Sequence, residues 1–109
     1  MEARTPENFF EDILPKRFKP ENAVGINVTV QINIINAKRG NWTVAIKNQK
    51  LQTNEGIHTS PDLLLEMKEE DYMDLVNGKI SGERAFMTGK IRFKGSIALA
   101  LKLRQTGFL

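Results

Sequence analysis

Cysteine is absent from the 109 residues, which removes disulfides, thiolate metal sites and cysteine nucleophiles together. Histidine occurs once, as His58. It stands between two strand-like stretches with no nucleophile or carboxylate at a meaningful spacing, so it reads as a turn residue and not as a catalyst, which would need an oriented partner. Zinc would need three or four ligands, and the soft ones are missing. Long apolar runs are lacking too. The longest are Leu63–Leu65 and Ile97–Leu101, far short of the ~20 residues that cross a bilayer. The opening Met1-Glu2-Ala3-Arg4 soon meets Pro6 and Glu7, without the apolar core of a secretory signal. The two sequons, at Asn27 and Asn41, therefore read as chance matches. The tail Thr106-Gly107-Phe108-Leu109 is not a peroxisomal address. The expectation is a cytoplasmic protein.

Phosphate loops are also missing: Gly78, Gly82 and Gly89 lack the required spacing and the Gly-Lys-Ser/Thr ending. The acids Glu66, Glu69, Glu70, Asp71 and Asp74 crowd together. No glycine among them turns a calcium loop, so they read as a solvated helix start. No cofactor, no metal and no enzymatic activity are expected.

What is present is the composition of a folded domain: 40% hydrophobic and 27% charged residues. At this length one domain is expected, over 1–109. The net charge of +3 is uneven. Residues 1–78 hold nine Lys/Arg against twelve Asp/Glu, and residues 79–109 hold seven against one, Glu83. Such asymmetry marks either a surface that attracts anions or a merely solvated one. Lys90, Arg92 and Lys94 share a strand parity and could track phosphates. Exposed aromatics for stacking bases are missing beside them, and nucleic acid is not expected as a partner.

The pattern along the chain is legible as elements. Thr5-Pro6-Glu7 combines an N-cap hydroxyl, a first-turn proline and an acid. Phe9, Phe10, Ile13 and Leu14 continue at helical spacing until Pro15 interrupts. Phe18 and Pro20-Glu21-Asn22 suggest a second short helical piece before Gly25. From Ile26 to Ile34 the period becomes two, the mark of a strand with one wet face. A turn at Lys38-Arg39-Gly40-Asn41 leads to a second strand through Trp42, Val44 and Ile46. A third follows near 50–54, giving an antiparallel meander. After a connection over 56–61, a fourth strand is predicted over 62–68. Glu69-Glu70-Asp71 favours a helix start by opposing the helix dipole, with Tyr72, Met73, Leu75 and Val76 as its buried stripe and Gly78 as its C-cap. A short helix is predicted over 83–88, a fifth strand over 90–94, and a last helix from Ile97. The fold class expected is α+β, with one five-stranded mixed sheet and helices mainly on one face.

The last helix is the informative one. On a wheel of ~100° per residue, Ile97, Leu101 and Phe108 fall together, Leu99 and Leu103 fall well to one side, and Ala100 lies between. The apolar arc spans roughly 200°, about twice that of an ordinary surface helix, and Arg104 inside it has to snorkel. One half can pack on the sheet. The other half wants a second apolar partner, which is either more of the same core, another subunit or a lipid-like ligand.

The stretch from Asp62 to Leu103 resembles the sterol carrier protein type two family, the sterol-transfer domain. The matching pieces are Pro61-Asp62 before a strand, Glu69-Glu70-Asp71-Tyr72 opening a helix, and Val76-Asn77-Gly78-Lys79-Ile80. They continue with Ala85-Phe86-Met87-Thr88-Gly89-Lys90-Ile91-Arg92-Phe93-Lys94-Gly95 and Leu99-Ala100-Leu101-Lys102-Leu103. Trp42-Thr43-Val44 and the Phe9-Phe10 pair fit the family's first half more loosely. Two departures are Lys68, where relatives usually carry a capping serine or threonine, and a tail without the peroxisomal tripeptide of some members.

The resemblance implies the same α+β fold, in a stand-alone domain. It also implies a non-catalytic carrier with an apolar tunnel for a fatty acid, fatty acyl-CoA or sterol-like ligand. Met73, Val76, Phe86, Met87, Ile91, Phe93, Leu99 and Leu103 are expected to line that tunnel, with plain core packing as the rival role for each. Methionines 67, 73 and 87 suit a wall that adapts to more than one shape. Lys90, Arg92, Lys94 and Lys102 would attract anionic head groups, coenzyme A phosphates or an anionic membrane surface in passing contact. The alternative function is a protein-interaction or dimerisation domain using the same C-terminal apolar surface. The state is expected to be monomer or homodimer.

Overall fold

A computed structural model of the chain describes residues 2–107. Phe108, which the helical wheel groups with Ile97, lies outside them. The N-terminal helix runs as α1 (Pro6–Asn8), a π-helical turn (Phe9–Ile13) and α2 (Leu14–Arg17). Thr5 caps it, its hydroxyl accepting from the Asn8 amide at 3.1 Å. The π turn sits just ahead of Pro15, which has no amide hydrogen to give. The amide of Leu14 reaches back to the Phe9 carbonyl, and the widened turn buries Phe9, Phe10, Ile13 and Leu14 together. A 3₁₀ turn over Pro20–Asn22 follows.

The strands are β1 (Val28–Ile35), β2 (Asn41–Lys47), β3 (Lys50–Glu55), β4 (Leu63–Lys68) and β5 (Arg92–Lys94). They form one sheet in the order β3-β2-β1-β4-β5. Among the described residues only β1 and β4 pair in parallel. The helices α3 (Glu69–Val76), α4 (Gly82–Met87) and α5 (Ile97–Arg104) complete the chain. The fold is the expected α+β domain with a mixed five-stranded sheet. The differences are at edges. The fifth strand is shorter than 90–94, because the Lys90 amide is held by the Ala85 carbonyl at 2.8 Å and its ammonium sits 3.8 Å from Asp71. Lys68 takes the N-cap place of α3 without a side-chain bond, as its chemistry requires.

Register places Val30 between Val44 and Leu63, and Ile32 between Trp42 and Leu65. Leu65 in turn lies opposite Phe93. This apolar face meets an aromatic stack. Phe10 lies flat on Trp42 at 5.0 Å and on Tyr72 at 5.8 Å, while Phe9 meets Phe10 edge-on at 5.2 Å. The opposite face is not wholly wet. Gln31 on β1 is buried. Its amide donates to the carbonyl of Gly56 at 3.1 Å and accepts from the amide of His58 at 2.7 Å, so the connection after β3 is pinned over it. His58 is thus a turn residue, its Nδ1 accepting from the Ser60 amide at 3.1 Å.

Candidate functional site

The sheet's apolar face is not covered evenly. The N-terminal helix and α3 fill it over β2 and β1, where the aromatic stack is closed. Toward β4 and β5 the cover is α4 and α5, both short, and a hollow of ≈190 Å³ remains beneath them. Val30, Leu63, Leu65 and Phe93 of the sheet form its floor. Phe86 of α4, Ile91, and Ile97, Ala100, Leu101 and Leu103 of α5 form its walls. Gly82, Glu83 and Arg104 stand at one end, and the lining is otherwise almost wholly apolar. Such a lining takes hydrocarbon out of water.

The side of the hollow facing solvent is greasy. Phe86, Ile97 and Leu101 are each at least half exposed. Leu103, on the opposite flank of α5, is buried. The helix therefore divides as its wheel suggests, with Leu103 toward the core and Ile97 with Leu101 toward the open side. Ser96 caps its start, accepting from the Leu99 amide at 3.2 Å. Its far end is tied down. Thr106 is buried, its carbonyl accepting from the Lys19 amide at 2.7 Å, and Asn22 donates to the Gln105 carbonyl at 2.9 Å. Gly107 (φ +93°) lets the chain pass the Arg17 carbonyl where a Cβ would stand 2.4 Å from its oxygen. Arg104 does not merely snorkel: it makes an ion pair with Glu83 of α4.

Of the eight residues expected from the sequence, Phe86, Ile91, Phe93 and Leu103 meet in this hollow. Met73 and Leu99 are partly buried against the core but do not line it. Val76 lines a neighbouring hollow with Arg17 and Ile80. Met87 is 83% exposed, because α4 turns that position away from the sheet. Val30, Leu63 and Leu65 join the lining as well; their period-two pattern marks a sheet face without telling a filled one from an unfilled one. Ile97 and Leu101 are further lining residues, and their place on the helical wheel carries the signal.

Residues 10–106 match the SCP-2 sterol transfer family. The chain belongs to that family. Two curated relatives frame its range. Hydroxysteroid dehydrogenase-like protein 2 of Xenopus laevis is 37% identical over 67 residues, covering 61% of this chain and 16% of that protein. The non-specific lipid-transfer protein-like 1 of Caenorhabditis elegans is 30% identical over 81 residues, covering 74% of this chain and 69% of that protein. The chain thus spans a small part of the first relative and about two thirds of the second. Among solved structures, palmitated SCP2L2 from Aedes aegypti superposes with a TM-score of 0.68 at 24% identity, covering 97% of this chain and 96% of that one. That likeness is one of fold. The family is a lipid-transfer family, and some of its members lie within longer chains that bear enzyme names. Among the described residues no helix is long and apolar enough to cross a membrane.

Proposed function

We propose that this chain is a non-catalytic carrier that holds one linear alkyl chain, such as that of a fatty acid, in the hollow between β4, β5, α4 and α5. The observation that carries the reading is the apolar hollow of ≈190 Å³ with a greasy open side. It exceeds the ~150 Å³ of an apolar void that takes up benzene. It is smaller than the ~300–1,000 Å³ of sites that enclose a drug-sized ligand. A slender chain can thread it and continue out past Phe86, Ile97 and Leu101, whereas a rigid multi-ring body would have to lift α5. Each methylene withdrawn from water contributes ~0.8 kcal/mol, so a few buried carbons suffice for binding. Phe86, Ile91, Phe93 and Leu103 are proposed as contacts, joined by Leu65, Ile97 and Leu101. Anionic surfaces or coenzyme A phosphates would meet Lys102, the residue after Leu101 on α5, whereas Lys94 alternates with the floor residue Phe93 and lies on the sheet's other face. Lys90 and Arg92 already face Asp71 at 3.8 Å and Glu66 at 3.2 Å.

Native mass spectrometry of the purified protein, followed by titration with a fluorescent fatty acid, tests this. The expected outcome is a one-to-one lipid adduct and saturable uptake of the probe. Failure of both would overturn the reading. If the protein then ran as a dimer in light scattering, and Leu101→Glu made it monomeric, the apolar face would belong to an interaction domain.

A further inference from the structure

A second hollow, of ≈580 Å³, opens beside the first, and Arg17 and Asn77 are among its lining. Gly82, Glu83 and Arg104 line both. The Glu83–Arg104 ion pair therefore stands between an oily chamber and a mixed one, which Leu75, Val76 and Ile80 also line. Most polar groups of the second hollow already have partners. Asn77 accepts from the Ala3 amide at 2.7 Å and donates to its carbonyl at 3.0 Å. Ser81 accepts from the Arg84 amide at 3.1 Å. Arg17 is different. Its Nη1 donates to the Val76 carbonyl at 2.7 Å, and a guanidinium has five hydrogens to give. Two guanidiniums and one carboxylate thus line the space, leaving one positive charge in excess.

We propose that this second hollow is a head-group site for a single carboxylate, and that Glu83 holds the ligand's place on Arg104. The inference rests on the alkyl-chain reading of the first hollow, from which the tail would project. Arg104 already shows its preference by binding the chain's own carboxylate. The planar guanidinium offers paired hydrogens that match two carboxylate oxygens, a fit that an alcohol lacks. The pair is also easy to open, because both side chains are about half exposed, and exposed ion pairs are weak. An incoming carboxylate swaps one anion for another on Arg104 while Glu83 turns out to water. The exchange on Arg104 alone is near balance, and the excess positive charge of Arg17 tips it toward a carboxylate and away from an alcohol. Arg17 then holds the second hollow positive, so the head group is met by cations from α2 and from α5.

The test compares dodecanoate with dodecanol, both binding the whole chain, by displacement of a fluorescent probe at low salt. The native protein is expected to prefer the carboxylate by about tenfold. Glu83→Gln removes the internal competitor and widens that ratio. Arg104→Gln brings it toward parity, and Arg104→Lys restores part of it. Should Arg104→Gln fail to fold, the widening by Glu83→Gln and the partial preference of Arg104→Lys still decide. Equal binding of acid and alcohol by the native protein would overturn the head-group site while leaving the tail site standing. So would a ratio that neither Glu83→Gln nor the Arg104 variants move. If neither compound binds, the alkyl-chain reading fails along with it.

Discussion

Tyr72 is the residue where burial and chemistry disagree most. Its ring lies flat on Phe10 at 5.8 Å and edge-on to Phe9 at 6.0 Å, fully buried, and its hydroxyl has no hydrogen-bond partner among the described residues. An unpaired buried hydroxyl costs ~1–3 kcal/mol. Tyr72→Phe keeps the ring contacts and removes that cost, so it is expected to stabilise the fold by about 1 kcal/mol, read as a higher urea midpoint at neutral pH. Burial also pushes the phenol's pKa up, and the charge of Arg17 lowers it by less. The sign follows directly. The native state keeps a proton that the unfolded chain releases above about pH 10. Stability is therefore unaffected by this group below that pH and falls as pH rises above it, because ionisation favours the unfolded chain. Since it is the chain's one tyrosine, phenolate absorbance should appear together with loss of helical circular dichroism. Ionisation in a still-folded protein would contradict the buried placement. Tyr72→Phe should also blunt the alkaline loss of stability.

At the level of elements, α5 has one buried face and one exposed apolar face, and the proposed function gives binding to the second. Leu103 is 2% exposed and Leu101 50%, two residues apart on the same helix. Leu103→Ala should cost ~2–5 kcal/mol, the usual range for a buried leucine. Leu101→Ala should stay within ~0.5 kcal/mol, as surface changes do, yet weaken uptake of a fatty probe severalfold through lost contact at the open side. Chemical denaturation and probe titration of both variants separate the two roles. Equal effects on stability would mean that α5 is packed alike all round. This split was legible in the sequence, since Ile97 with Leu101 and Leu99 with Leu103 already part on a helical wheel. So were β1, whose Val28, Val30, Ile32 and Ile34 alternate with polar residues, and the capped start at Thr5. Other features were hidden for physical reasons. Gln31 looks like a wet-face residue, and only the pinned connection at Gly56 and His58 buries it. Met87 looks like a wall residue, but α4 is six residues long, too short for an apolar stripe to fix its rotation. The hollow itself is a deficit of volume over β4 and β5, and spacing along a chain records which faces meet but not how fully they fill the space between.

Across the whole molecule, charge and grease coincide. The last third of the chain holds an excess of six positive charges, and it also supplies Phe86, Met87, Ile97 and Leu101, four of the large apolar residues left exposed. Of its cations, Lys90, Arg92 and Arg104 face acids, but exposed pairs of this kind are weak and do not cancel the long-range field. An anionic bilayer would meet attraction first and apolar side chains second, at the open side of the hollow. Each basic residue near such a surface contributes about 1 kcal/mol, screened within a Debye length of ~8 Å at physiological salt. Sedimentation with vesicles containing phosphatidylserine should therefore pull down the protein at low salt and release it at high salt, while phosphatidylcholine vesicles leave it in solution. The change Lys102→Glu reverses one charge beside Leu101, and by the same figure should weaken the anionic binding by about tenfold or more. Lys50→Glu, on β3 at the far edge of the sheet, makes the same change in net charge without altering this face. If both changes weaken vesicle binding alike, the attraction is that of a basic protein. If only Lys102 matters, the cavity opens toward the membrane, and a lipid can pass from bilayer to carrier with its tail kept out of water.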